Sequence, residues 1–175
     1  MRSNTELTLK DKINILESLF KRPDEIKSKT EGSKVIILTV DPKEETKALE
    51  ELKKTFDSMT YIDISEILLK VIDEYGLENL KEDREFYGNN YKESFLRKFL
   101  NLIIEETINQ SKYKIVVIHR IGILNGLLRI NQIIESITGD LNNPVVMIYP
   151  GKRQEERLHF LNERHVTSVY RAEII

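Results

Sequence analysis

The residues able to do chemistry are few, and most of them stand where a short apolar run ends. His119-Arg120 follows Tyr113-Lys114-Ile115-Val116-Val117-Ile118, and Asp41-Pro42 follows Lys34-Val35-Ile36-Ile37-Leu38-Thr39-Val40. Tyr149-Pro150-Gly151-Lys152-Arg153 follows Pro144-Val145-Val146-Met147-Ile148. Short runs rich in valine and isoleucine suit strands buried on both faces, and open α/β sheets place their binding crevices at the carboxyl ends of such strands. A histidine beside an arginine at that edge could act as a base next to an anion clamp. A hydrogen-bonded structural histidine fits the same pattern and is the plainer reading.

The other chemistry is mostly excluded. His159 and His165 are not at the i,i+4 spacing of a helical metal pair, and they read as surface histidines. No cysteine is present, which removes disulfides, thiolate zinc sites and cysteine nucleophiles. There is no Gly-x-x-x-x-Gly-Lys-Ser/Thr, no Gly-x-Gly-x-x-Gly after a strand and no Gly-x-Ser-x-Gly elbow. The turn at Asp41 would set a carboxylate where a phosphate would sit, and His119-Arg120 stands where an acidic magnesium ligand would be needed. Asp41 and Asp63 read as helix N-caps rather than an acid–base pair. Expected, therefore, are no catalytic residues, no cofactor and no metal. Arg120, Lys152, Arg153, Arg157, Arg164 and Arg171 could gather on one edge of the sheet. Glu155 and Glu156 interrupt them and no aromatic residue lies in the run to stack on bases, so a solvated face or a surface for an acidic protein is the better reading.

The elements that must position these residues follow from periodicity. The 175 residues, 40% hydrophobic and 32% charged with a net charge of −2, suit one globular α/β domain. Residues 1–33 hold an N-terminal helix over Thr8 to Phe20 and a loop, and residues 34–175 form the sheet core. Asp41-Pro42-Lys43-Glu44 opens a helix to about Asp57, and Thr60 to Ile64 is a second strand. Helices then cover Ile67 to Tyr75, Glu93 to Gln110 and Ile123 to Ile137, with residues 77–90 as a helix and a loop. Pro150-Gly151 is expected to stop the Pro144–Ile148 strand abruptly, and Ser168 to Ile175 is the closing strand. The alternation predicts a mainly parallel sheet of about five strands with helices on both faces. Without a signal sequence or a long apolar run, a cytoplasmic location is expected.

The wording of the C-terminal part is specific. Pro144 to Gly151, then Arg157-Leu158-His159-Phe160-Leu161, then Val169-Tyr170-Arg171-Ala172 before an apolar end, resembles the BrxB family of BREX (bacteriophage exclusion) systems. Val40-Asp41-Pro42 and the segment Ile118 to Arg129 also fit, so the similarity is taken to run from about residue 34 onward. The segment between Gly151 and Leu158 departs from the family pattern in being short and basic. The resemblance implies an NTPase-like sheet without a P-loop, in a non-catalytic component of an antiphage defence system. It implies a protein-binding adaptor or scaffold whose partners are other BREX components: phosphatase-like, ATPase or methyltransferase subunits. Candidate partner-binding residues are Asp41, His119, Arg120, Tyr149, Lys152 and Arg153. A second reading is a nucleotide- or DNA-binding subunit using the edge near His119 and Lys152. No membrane contact is implied.

Overall fold

The computed structural model describes residues 7–155, 157–161 and 166–175. Helices α1 (Leu9–Phe20) and α2 (Pro23–Lys29) precede strand β1 (Val35–Val40). Helix α3 (Glu45–Thr55) leads to β2 (Met59–Asp63), and α4 (Ile64–Tyr75), α5 (Leu77–Tyr87) and α6 (Glu93–Ser111) lead to β3 (Ile115–His119). Helix α7 (Ile130–Ile137) leads to β4 (Val145–Gln154), which is followed by β5 (Arg157–Phe160), β6 (Val166–Ser168) and β7 (Ala172–Ile174).

Five strands lie side by side in the order β2-β3-β4-β1-β7, and every pairing between them is parallel. The register sets Val35 opposite Val145 and Val40 opposite Pro150. Because side chains alternate across a strand, this register divides the interior into two cores. Ile36, Leu38, Val146 and Ile148 meet Leu16 and Leu19 of α1 and Ala48 and Leu52 of α3. Ile37, Ile118, Val145 and Met147 meet Phe99 and Ile103 of α6 and Ile134 of α7 on the opposite face. Each such aliphatic side chain removed from water contributes roughly 1.5–3 kcal/mol. The parallel α/β sheet with covered faces is therefore as the sequence implies. Among the described residues no helix is long and apolar enough to cross a membrane.

Travel across the sheet reverses once. From β1 the chain moves to β2 at the far edge, then returns through β3 and β4 and passes β1 to reach β7. The reversal leaves α3 on one face and α6 and α7 on the other. It places a crevice at the carboxyl ends of β1 and β4, where connections depart to opposite faces.

Three expectations need correction. Strand β4 does not stop at Pro150-Gly151 but continues to Gln154 and turns into an antiparallel hairpin with β5. Pairing with β3 ends at Met147, so the missing Pro150 N–H removes no bond to that strand, and the Pro150 carbonyl accepts the Leu161 N–H at 3.0 Å. Gly151 is what permits the continuation: a Cβ there would lie 2.0 Å from the His159 carbonyl oxygen. The helix expected over Ile123 to Ile137 begins only at Ile130. A 3-10 turn at Ile121–Leu124 is followed by Asn125-Gly126, with Gly126 at φ +76°, and both the Leu127 and Leu128 N–H groups donate to the Leu124 carbonyl. The closing strand is also split, into β6 paired with β5 and β7 paired with β1.

Candidate functional site

The carboxyl edge holds all six candidate residues, but the structure separates them into three places. The first is a polar node at the ends of β2 and β3. Asp63 is held in place by the start of α4, where its carboxylate accepts the Ser65 N–H at 2.8 Å and the Ser65 hydroxyl. The Arg120 Nε lies 3.1 Å from the same carboxylate, and His119 Nδ1 lies 4.0 Å from it, beyond hydrogen-bond length. Arg120 adopts a left-handed backbone, φ +59°, and its N–H donates to Glu45 Oε1 at 2.7 Å. Burial pushes the His119 imidazole below its ordinary value; Asp63 and Glu45 oppose the shift, and Arg120 and Lys53 add to it. Burial would raise the Asp63 carboxyl, but the Ser65 hydrogen bonds, then His119 and Arg120, outweigh that and hold it low. The node thus keeps a neutral imidazole beside a charge pair that is already matched. The Asp63 cap read from the sequence is present. Its second task, holding Arg120, could have been suspected only by knowing that β2 and β3 pair.

The second place is an open groove of about 1530 Å³ at the crevice between β1 and β4, lined by Asp41, Lys47, Lys152 and Arg153 among others. Asp41 caps its turn as expected, accepting the Lys43 N–H at 3.0 Å. Lys12 of α1, not singled out from the sequence, reaches across to the Thr39 carbonyl and hydroxyl, each at 2.7 Å. Arg153 donates to the Ile174 carbonyl and, through Nε, to the Glu155 carbonyl at 2.7 Å. It ties the hairpin to β7. Lys152 pairs across the hairpin with His159, and Gln154 with Arg157, so these four share one face. Lys152, Gln154 and Arg157 are exposed and His159 is half-buried, while Leu158 and Phe160 on the opposite face are buried in the core.

Tyr149 is in the third place, a cleft on the α7 side. It is 5% exposed, meets Phe160 edge-on with ring centroids 6.1 Å apart, and burial pushes its phenol up to about 12. Asn131 and Phe160 line the same cleft, and neither was singled out as a binding residue from the sequence.

Among the described residues the basic side chains do not form one patch. Arg120 is at the β3 end and Arg157 on the hairpin. Arg171 precedes β7 at the amino edge, near Glu31 at 3.9 Å, because β7 runs parallel to β1. Glu156, Arg164 and His165 lie outside the described residues. Among the described residues no cluster of three or more His, Asp or Glu side chains is arranged to hold a metal ion.

Comparison with known proteins adds one finding. No curated protein and no solved structure matches the chain. The model of the family described as BREX protein BrxB matches residues 60–175, from β2 through the hairpin to the last strand. That span begins later than the resemblance at residue 34 implied, leaving β1 and the Asp41 turn outside it. It nevertheless covers more than half of the chain, and the chain belongs to the BrxB family, a component of a BREX system.

Proposed function

We propose that the protein is a non-catalytic adaptor that joins other BREX components, and that the β4–β5 hairpin is its main contact element. The observation that carries this reading is the construction of that hairpin. Leu158, fully buried, and Phe160 root it in the core, Arg153 fastens it to β7, and Lys152, Gln154 and Arg157 are turned outward beyond the parallel sheet. A polar surface on an anchored hairpin loses less backbone entropy on docking than one on a free loop. Its two cations favour an acidic partner surface, which in a multi-component system is most simply another subunit. The groove beside it, with Asp41 and Lys152, extends the same face. Arg120 serves the scaffold in this reading, since Asp63 and Glu45 already engage it, and His119 is buried beside them.

The test is co-expression with the phosphatase-like, ATPase and methyltransferase components of the same system, read by size-exclusion chromatography with light scattering. A defined complex that is lost in the Lys152→Glu/Arg157→Glu variant is expected. A monomer with every component, or a complex indifferent to the double variant, would remove the hairpin from the account. Retention on DNA that weakens steeply with salt would favour a nucleic-acid role instead.

A further inference from the structure

The cleft behind Tyr149 has no part in that docking role. It is an open cleft of about 620 Å³ between the 121–132 segment and the β5–β6 pair, within the range of small-molecule sites, roughly 300–1,000 Å³. Ile121, Leu124, Leu127 and Phe160 give it apolar walls. Against these walls stand two polar groups, the Tyr149 hydroxyl and the Asn131 amide. The Tyr149 side chain is 5% exposed and faces the cleft as one of its lining groups. Asn131 donates from Nδ2 to the Ser168 carbonyl at 2.8 Å, while its Oδ1 is buried without a donor among the described residues. Buried polar atoms are ordinarily paired, so the Asn131 oxygen calls for an explanation. The chemistry of Tyr149 and Asn131 is complementary: a phenol kept protonated is a donor, and an amide oxygen is an acceptor. Arg129, exposed on the cleft wall at the start of α7, makes no ion pair among the described residues.

We propose that this cleft binds a nucleoside monophosphate. The flat heterocycle lies between the apolar walls, accepts from the Tyr149 hydroxyl and gives an N–H to Asn131 Oδ1, and the phosphate meets Arg129. Neither a simple anion nor a plain hydrocarbon uses all three groups. The site stands independently of the adaptor reading, because the hairpin's outward face is not involved.

The probes are AMP, GMP, CMP and UMP, with the matching nucleosides and inorganic phosphate alongside, titrated by calorimetry and by thermal melting of the full chain. At least one monophosphate is expected to bind saturably and raise the melting temperature. Tyr149→Phe, which keeps the ring and removes the hydroxyl, is expected to weaken that affinity about tenfold, the usual scale of one lost hydrogen bond. Arg129→Ala should weaken the monophosphate about tenfold and leave the nucleoside unchanged. Leu127→Trp, which fills the cleft, should abolish binding, and Lys152→Glu should not alter it. Melting of each variant without ligand verifies its fold. The proposal is overturned if no monophosphate binds, if inorganic phosphate binds as well as the best of them, or if affinity survives both Tyr149→Phe and Leu127→Trp.

Discussion

Two stretches of one sheet edge, a few strands apart, treat charge in opposite ways. At the ends of β2 and β3, Asp63 pairs with Arg120 and Glu45 accepts the Arg120 backbone N–H beside a buried His119. At the end of β4 the chain runs on past the sheet and sets Lys152, Gln154 and Arg157 in water on a buried Leu158–Phe160 root. Position at the carboxyl edge therefore does not by itself make a binding residue. What differs is that the paired strands β2 and β3 bring Asp63 and Arg120 together, whereas β4 carries its last residues past the end of its pairing with β3.

The largest expected effect is on the hairpin side. Gly151→Val would force a side chain into the His159 carbonyl, 2.0 Å from even a Cβ, and should cost about 3 kcal/mol or more. Urea unfolding would show the loss, and an unchanged midpoint would mean that β4 and β5 separate without penalty. Leu158→Ala should cost roughly 2–5 kcal/mol, because it empties a fully buried site under the hairpin. On the node side, Asp63→Ala removes the α4 cap and the Arg120 pair together, and a loss of roughly 2 kcal/mol is expected from the same measurement.

The node also predicts a pH dependence. Burial leaves His119 with a folded-state value below the ordinary 6.5, so the unfolded chain takes up a proton first as the pH falls. The His119 contribution is fully present above 6.5 and is lost as the pH drops from there through the folded value. His119→Gln should flatten the decline in unfolding midpoint between neutral pH and the lower side of 6.5, whereas a parallel curve would exclude His119 as its source. Asp63, depressed in the folded state, contributes stability that is lost only at more acidic pH, from its ordinary 3.8 downward. The smallest expected change is that of Lys152→Glu/Arg157→Glu, within about 0.5 kcal/mol of the parent, since both side chains are exposed.

The parallel sheet was legible because Val35–Val40, Ile115–Ile118 and Val145–Ile148 are short apolar runs separated by helical periodicity. Asp41 and Asp63 were legible as caps because capping is a local interaction. The hairpin was not, because Pro150-Gly151 carries the same local signal for stopping a strand as for bending one past its neighbour. Only the end of β3 pairing at Met147 and the approach of His159 decide between them. The grouping of Arg120 with Asp63, and of Tyr149 with Asn131, likewise depends on which strands and helices lie side by side. Arg171 shows the converse. Near Arg153 in sequence, it is sent to the opposite end of the sheet by the parallel direction of β7.

The most direct test of the hairpin as contact element is hydrogen–deuterium exchange on the protein alone and in complex with a co-purifying BREX component. Slowed exchange confined mainly to residues 150–160, with residues 115–121 unchanged, is expected. Protection centred on 115–121, with the hairpin exchanging as it does in the free protein, would contradict the account.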